Sequence, residues 1–159
     1  KIREQELAYV DVGKLFRETV STFSSLNGAT AVCNCEGLRL WADDLLGRVF
    51  YNLIENSLKY GQRVTQIKIA YKKEINGTIE LVYEDDGIGI SPTIKSKLFQ
   101  ENCTTGGGTG YGLYLVKKII EAYGWTIEET GEPERGAKFI ISIPEKNHSR
   151  NHNFIQSQN

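Results

Sequence analysis

The chain has 159 residues, a formal net charge of −1 and 25% charged residues. This length predicts one domain, and the composition is that of a globular protein rather than a collagen, a coiled-coil rod or a disordered chain. The balanced charge gives no strongly basic surface for nucleic acid, and no apolar run approaches the roughly 20 residues of a membrane span. We therefore expect no nucleic-acid partner and no direct membrane contact.

The N-terminal residues predict an incoming connection followed by an amphipathic helix. Residues 1–10 read as a connection from an upstream domain and end in a short strand over residues 7–12. Asp11 can cap a helix over residues 12–25, whose apolar residues recur with helical spacing. Because the chain begins at Lys1 and contains no methionine, we expect it to be a piece of a longer protein.

Two strands and a long helix come next. Residues 30–36 and 38–41 alternate between polar and apolar side chains, which is typical of strands. Asp43 or Asp44 can cap a helix that runs to about residue 60, where Gly61 is expected to end it.

The following segments predict a hairpin and a glycine-rich turn. Residues 65–75 and 78–84 alternate on either side of Asn76-Gly77, which is the strongest short-range hairpin signal. Residues 85–90 form a turn, and Ser91-Pro92 can begin a short helix.

The last part predicts a loop, a helix, two strands and a tail. Residues 100–110 are polar and glycine-rich, residues 111–123 are helical, and residues 125–130 and 138–143 pair as closing strands. Residues 146–159 are expected to be a disordered polar tail, which leaves residues 11–145 as the domain. The elements predict an α/β fold of the α+β type, a two-layer sandwich in which helices pack against a mixed, mostly antiparallel sheet.

One polar stripe on the long helix points to a ligand. Asn52, Asn56 and Lys59 are spaced i, i+4 and i+7 and so share one narrow face beside the apolar face. An exposed polar face is the ordinary alternative. A carboxamide oxygen in a crevice can instead ligate Mg²⁺, and a lysine can contact a phosphate.

Two glycine-rich segments point to the same kind of ligand. Asp85 follows a strand and precedes Gly87 and Gly89, so its carboxylate can accept a hydrogen bond from an exocyclic amine. Residues 106–112 are glycine-rich and lead into a helix, an arrangement that suits an anion. They form neither a Walker loop nor a good Rossmann fingerprint.

These motifs, in this order, resemble the catalytic ATP-binding domain of sensor histidine kinases, within the gyrase-like ATPases with the Bergerat fold. Residues 52–60 resemble the family's N box, residues 85–89 the first glycine box and residues 98–99 the F box. Residues 108–113 resemble the second glycine box and residues 136–139 the last one. The resemblance implies a mixed sheet against three main helices, with residues 100–107 as a mobile ATP lid.

The resemblance also implies the role of each motif residue. Asn56 would coordinate the Mg²⁺ that bridges the phosphates, with Asn52 in support. Lys59 would contact a phosphate, Tyr60 the base or the ribose, and Asp85 the adenine amino group. The residues implied in catalysis are Asn52, Asn56 and Lys59. Those implied in ATP binding are Asn56, Lys59, Tyr60, Asp85, Gly87, Gly89, Ile90, Phe99, Gly108, Thr109, Gly110, Tyr111, Gly112 and Leu113.

Position 52 separates the branches of this superfamily. The ATP-hydrolysing relatives have a glutamate there that activates water, whereas Asn52 cannot take a proton. The resemblance therefore implies a protein-histidine kinase that transfers the γ-phosphoryl group to a histidine on an upstream dimerisation and phosphoacceptor domain. A response regulator would be an indirect partner, the isolated domain would be a monomer, and its location would be cytoplasmic, alone or within a membrane-bound sensor.

Three departures from the family's pattern leave alternatives open. Asp86 replaces the usual Asn, Tyr111 replaces the usual Leu, and no Lys or Arg lies between Lys97 and Lys117. Because many members have a cation near the lid, a non-catalytic nucleotide-sensing module is an alternative function. An ATPase of the same superfamily is a weaker one.

Overall fold

The computed structural model describes residues 6–101 and 112–147. Within these ranges the chain forms seven strands and four α-helices. The strands are β1 (Ala8–Asp11), β2 (Thr30–Asn34), β3 (Arg39–Ala42), β4 (Gln66–Lys73), β5 (Ile79–Asp85), β6 (Thr126–Glu129) and β7 (Lys138–Ile143). The helices are α1 (Val12–Ser21), α2 (Leu45–Tyr60), α3 (Pro92–Lys95) and α4 (Gly112–Ala122).

The strands form one large sheet and one small sheet. The large sheet has five strands in the order β2-β4-β5-β7-β6, and β1 pairs with β3 alone. Only the β2–β4 pair is parallel, and the other three pairs of the large sheet are antiparallel. The predicted mixed, mostly antiparallel sheet is therefore confirmed.

One face of the large sheet is buried by the helices. Along β5 the burial alternates from residue to residue, as expected for a strand with one face in the core. Apolar side chains of α1, α2 and α4 join those of the sheet in a single core. The fold is thus a two-layer α+β sandwich with three main helices, as predicted. No helix among the described residues is both long and apolar enough to cross a lipid bilayer.

Helix α1 begins where predicted but ends four residues early. The backbone N–H of Lys14 donates to Asp11 Oδ1 at 3.1 Å, which is a side-chain cap. The helix ends at Ser21 rather than residue 25. Ser21 and Thr22 donate their hydroxyls to the backbone carbonyls of Glu18 and Thr19. Such local bonds compete with the continuation of a helix.

Helix α2 matches its predicted length and runs from Leu45 to Tyr60. Asp43 Oδ1 accepts from the N–H of Leu45 at 3.0 Å, whereas Asp44 makes no side-chain cap. The helix ends at Tyr60, before Gly61. Gly61 has a φ of −72°, so its role there is steric rather than conformational. A Cβ at this position would lie 2.6 Å from the Ser57 carbonyl oxygen.

Before α2, strand β2 is shorter than predicted, strand β3 is shifted by one residue, and the two strands belong to different sheets. Strand β2 stops at Asn34 rather than residue 36, and β3 covers Arg39–Ala42 rather than residues 38–41. β2 runs parallel to β4, while β3 pairs with β1. The hairpin predicted at Asn76-Gly77 is confirmed by the antiparallel pairing of β4 with β5.

The C-terminal helix and strands follow the predictions closely. Among the described residues helix α4 covers Gly112–Ala122 and so ends one residue before the predicted end at 123, while the predicted first residue, 111, lies outside the described residues; β6 pairs with β7. A single 3₁₀ turn, Glu145–Asn147, follows Pro144 and includes the first residues of the predicted tail. Residues 148–159 and most of the predicted lid, residues 102–107, lie outside the described residues.

The α1 cap gives a direct test of this local structure. Replacing Asp11 by alanine removes the bond to Lys14 and should lower the free energy of unfolding by about 1 kcal/mol. Urea denaturation measures the loss. Asp44→Ala is the matched control, because Asp44 precedes α2 without a side-chain cap and should cost less. Equal losses in the two variants would contradict the cap.

Candidate functional site

The glycine-rich turn after β5 is pressed between the end of α2 and the loop that joins β6 to β7. A Cβ at Gly87 would lie 2.5 Å from the Gly61 carbonyl oxygen, which is closer than atoms can approach. Gly89 has a φ of +75°, and a Cβ there would lie 3.0 Å from the Gly136 carbonyl oxygen. Gly136 has a φ of +110°, and its Cβ would overlap the Asp85 carbonyl oxygen. Three backbone segments therefore meet at these glycines.

The carboxylate of Asp85 lies at this meeting point and is 8% exposed. Its Oδ1 accepts from the backbone N–H groups of Gly87 at 3.0 Å and Ala137 at 3.1 Å. Its Oδ2 accepts from the Ser57 hydroxyl of α2 at 2.6 Å. A buried carboxylate needs such partners, and here they come from three different segments of the chain.

The Ser57 hydroxyl is also bonded to a buried tyrosine. Ser57 Oγ lies 2.8 Å from the hydroxyl of Tyr83, which is 1% exposed. Burial raises the pKa of Tyr83; the bond with Ser57 opposes this shift, and the charge of Asp85 adds to it. The hydroxyl of Tyr83 is therefore protonated throughout the physiological range.

The predicted polar stripe on α2 runs from the core to the surface. Asn52 is 9% exposed, Asn56 is half-buried, and the side chain of Lys59 is 54% exposed. Lys59 Nζ lies 3.5 Å from Glu55 Oε1 on the same helix. This surface ion pair is weak, so Lys59 is available to a stronger anion such as a phosphate.

Asn52 joins α2 to the beginning of α4. Its Nδ2 donates to the carbonyl oxygen of Gly112 at 3.3 Å, and Leu113 is buried beside it in the helix. The structure thus brings the N-box asparagine next to the end of the second glycine box. The other predicted residues of that box, Gly108, Thr109, Gly110 and Tyr111, lie outside the described residues.

Three further predicted residues, Tyr60, Ile90 and Phe99, lie within the described part of the chain. Ile90 belongs to the core and Tyr60 is half-buried. Phe99 packs edge-to-face on Phe139, with ring centroids 6.2 Å apart. Lys117 of α4 places its Nζ 5.4 Å from the Phe99 ring centroid. The first cation after the glycine-rich segment therefore contacts the F-box aromatic ring.

A buried ion pair fixes the loop between β6 and β7. Glu129, whose side chain is 2% exposed, accepts from the N–H groups of Gly131 and Lys138 at 3.0 Å each. Lys95 of α3 pairs with Glu129 at 2.8 Å and also donates to the Gly131 carbonyl. This loop supplies the N–H of Ala137 to Asp85, so the pair supports the carboxylate indirectly.

Asp86 has a structural role that its sequence position did not reveal. Its carboxylate accepts from the N–H groups of Thr65 at 2.7 Å and Gln66 at 3.0 Å, and from the Thr65 hydroxyl. A slight loss of hydration acts to raise the pKa of Asp86, but these hydrogen bonds outweigh it and lower the pKa below its ordinary value. Asp86 therefore ties the glycine turn to the start of β4.

Sequence analysis missed Ser57 and Ala137, which donate hydrogen bonds to Asp85, and Tyr83, whose hydroxyl is bonded to Ser57. The strand period of two places Tyr83 and Asp85 on the same face of β5, so this neighbour could have been found. Ser57 lies one residue beyond Asn56 and is off the polar stripe, and its bond to Asp85 spans 28 residues. No local pattern predicts such a contact. Among the described residues, no three His, Cys, Asp or Glu side chains cluster as a metal site.

Residues 42–147 match the family described as histidine kinase-, DNA gyrase B-, and HSP90-like ATPase. The chain belongs to this family. The match includes α2, the glycine turn and the β6–β7 loop, which together hold Asp85.

Sensor kinases are among its similar proteins. The sensor-like histidine kinase SenX3 of Mycolicibacterium smegmatis is 30% identical over 155 residues, which cover 90% of this chain and 40% of SenX3. The probable C4-dicarboxylate sensor kinase of Bacillus subtilis is 36% identical over 107 residues, covering 64% of this chain and 20% of that protein. The chain thus spans less than half of these relatives.

Solved structures agree on the fold. The catalytic domain of histidine kinase ThkA, in a nucleotide-free form, matches with a TM-score of 0.74 and 28% identity over 89% of this chain and 99% of that one. Full-length ShkA in complex with AMPPNP matches with a TM-score of 0.77 and 24% identity, over 91% of this chain and 32% of that one. The fold is that of histidine kinase catalytic domains.

The lowered pKa of Asp86 predicts a pH-dependent effect. An ionised Asp86 contributes stability above its unfolded-state pKa of about 3.9, and this contribution is lost as the pH falls through the lower folded-state pKa. Asp86→Asn keeps one side-chain oxygen as an acceptor but removes the charge, so it should destabilise the fold at pH 7 and do so less at pH 3. Urea denaturation at both values measures the difference. A constant effect of Asp86→Asn at the two pH values would contradict the assignment.

Proposed function

We propose that this chain is the catalytic ATP-binding domain of a two-component sensor histidine kinase. In this proposal it binds Mg-ATP and transfers the γ-phosphoryl group to a histidine on a partner dimerisation domain. Membership of the family supports the ATP-binding fold. The observation that carries the proposal is that α2 is bonded through side chains both to Asp85 and to the start of α4.

The residues fit an adenine nucleotide. Asp85 is buried, ionisable and partnered on three of its acceptor positions, so one position is left for a donor such as the adenine amino group. Gly87 and Gly89 keep the surrounding turn free of side chains. We assign base recognition to Asp85 and expect Ile90 and Phe99 to line the apolar part of the same site.

The residues also fit a hard cation. Asn56 is half-buried beside Asn52, and within residues 6–101 and 112–147 its carboxamide has no hydrogen-bond partner. Its carboxamide oxygen is a donor of the kind that Mg²⁺ prefers. When bound, Mg²⁺ would neutralise phosphate charge and hold the phosphates in one orientation. Lys59 and the N–H groups near Gly112 would hold the same phosphates.

The chemistry expected of this domain is positioning and charge neutralisation. Phosphoryl transfer needs little covalent participation by the protein, and Asn52 donates to a backbone carbonyl instead of accepting a proton from water. The histidine imidazole of the partner domain would attack the γ-phosphorus and ADP would leave. We further propose that a response regulator later receives the phosphoryl group from the partner domain. The location proposed for this domain is the cytoplasm.

The transfer reaction itself is the decisive test. The chain would be incubated with γ-labelled ATP, Mg²⁺ and the helical domain of the same parent protein. Acid-labile label on the helical domain is the expected result. No label, with ATP binding demonstrated in parallel, would overturn the catalytic part of the proposal.

A nucleotide-sensing module without catalysis is a second candidate. It is favoured because no Lys or Arg lies between Lys97 and Lys117, and because Lys117 contacts Phe99. In this case ATP would bind and no label would be transferred. Steady release of phosphate would instead indicate an ATPase, which Asn52 disfavours.

Replacing Asp85 by asparagine tests the assigned base contact. The new amide would present a donor where the adenine amino group needs an acceptor, so ATP affinity should fall by about 10–150-fold. Isothermal titration measures the affinity, and circular dichroism checks the fold. Asp44→Asn is the control and should bind like the unmodified chain; unchanged binding by Asp85→Asn would remove Asp85 from the site.

Replacing Asn56 by alanine tests the assigned metal contact. ATP affinity with Mg²⁺ should fall toward the affinity measured without Mg²⁺, because the metal loses its protein ligand. Titrations with and without Mg²⁺ give the two values. Asn34→Ala, at the exposed end of β2, should keep the full Mg²⁺ effect. If Asn56→Ala also keeps it, Asn56 is not a metal ligand.

A further inference from the structure

A chain of three buried side chains ends at Asp85. Tyr83, Ser57 and Asp85 are 1%, 3% and 8% exposed. The two bonds that connect them measure 2.8 Å between the hydroxyls of Tyr83 and Ser57 and 2.6 Å between Ser57 and Asp85. All three groups are polar and removed from water, so their mutual bonds are costly to break.

The direction of this chain is fixed by its protons. Ser57 Oγ donates to Asp85 Oδ2, and Ser57 has a single hydroxyl proton, so that proton is committed to Asp85. The Ser57 oxygen must then accept the proton of Tyr83. Tyr83 has no tendency to lose this proton, since burial raises its pKa. The hydroxyl of Tyr83 therefore donates to Ser57, and the hydroxyl of Ser57 donates to Asp85 Oδ2.

The bonds of Asp85 also decide how much of the carboxylate remains for a ligand. A carboxylate has about four acceptor positions, two on each oxygen. The N–H groups of Gly87 and Ala137 occupy both positions on Oδ1, and Ser57 occupies one on Oδ2. One acceptor position is left, on the oxygen whose orientation Ser57 controls.

From this geometry we infer that Ser57, supported by Tyr83, is a positioning and specificity-determining residue of the nucleotide site. It holds the last acceptor position of Asp85 in the orientation that selects a purine with an exocyclic 6-amino group. This inference rests on the proposed binding of ATP through Asp85. Ser57 acts through the carboxylate, so its effect is restricted to ligands that have the amino group.

That restriction separates positioning from general structural support. Loss of a merely structural contact would weaken every nucleotide equally. Loss of the Ser57 bond lets Oδ2 turn and leaves the carboxylate with a second open position. The contact with the 6-amino group should suffer, whereas contacts with ribose and phosphates should not.

The experiment compares ATP with purine riboside triphosphate, which lacks the 6-amino group, by isothermal titration in Mg²⁺. The unmodified 159-residue chain should prefer ATP by about tenfold or more. Ser57→Ala should lose most of this preference, through weaker binding of ATP and little change for the analogue. Tyr83→Phe should shift the preference in the same direction by a smaller factor, because Ser57 keeps its own proton.

Tyr71→Phe is the matched control. Tyr71 lies on the neighbouring strand β4, where it pairs with Leu81 rather than with Asp85. Its hydroxyl donates to the Glu36 carbonyl at 3.3 Å and takes no part in the bonds of Asp85. This variant should keep the full preference for ATP. Thermal unfolding of all variants checks that each is folded, and Tyr83→Phe, which keeps the aromatic ring, remains informative if Ser57→Ala is not.

The outcomes separate this inference from the proposed function. If the unmodified chain binds neither nucleotide, the proposed function fails and the inference fails with it. If it prefers ATP and folded Ser57→Ala keeps the same preference, or weakens both nucleotides equally, only the inference is overturned. A selective loss of ATP affinity in Ser57→Ala, absent in Tyr71→Phe, would support it.

Discussion

Backbone at Gly87 lies so close to backbone at Gly61 that a single methyl group would not fit between them. This contact sets how near the turn after β5 can come to the end of α2, and the rest of the site follows from it. At this separation Ser57 of α2 donates a hydrogen bond to Asp85 of β5. On the other side, Gly136 lets the backbone of the β6–β7 loop pack equally closely against Asp85. The N–H of Ala137 can then donate to the Asp85 carboxylate. The carboxylate is thus oriented by the approach of main chain to main chain.

Helix α2 concentrates three tasks on adjacent faces. Its apolar face builds the core, its polar stripe presents Asn56 and Lys59 outward, and Ser57 between them faces the sheet. Two asparagines and a serine lower the intrinsic helix propensity of this segment. Packing of the apolar face against the core compensates for this loss. The lysine at the exposed end is tethered only weakly to Glu55, while Asn52 at the buried end is bonded to another helix. The side-chain contacts of α2 with other elements are therefore at its buried face, and Lys59 is left at the surface.

Much of this could be predicted from sequence, for identifiable reasons. The α2 stripe, the Asn76-Gly77 hairpin and the Asp11 cap are local patterns, and local patterns were sufficient to locate them. The end of α1 was missed because Ser21 and Thr22 bond to the preceding turn, and the parallel pairing of β2 with β4 was missed because nothing in either strand encodes its neighbour. The same applies to the site. The motifs revealed Asp85 and Asn52, but their partners Ser57 and Gly112 become neighbours only in the folded chain.

The bond from Asn52 to Gly112 limits how this domain could exchange one chemistry for another. The resemblance found in the sequence implies a glutamate at the position of Asn52 in members that hydrolyse ATP, and Asn52→Glu would introduce one here. A glutamate has no N–H to offer, however, so its carboxylate would face the Gly112 carbonyl as a second acceptor. The repulsion would displace the first turn of α4 together with Leu113, which is buried in the core. A glutamate at this position would therefore disturb the end of a second helix as well as change one side chain of α2.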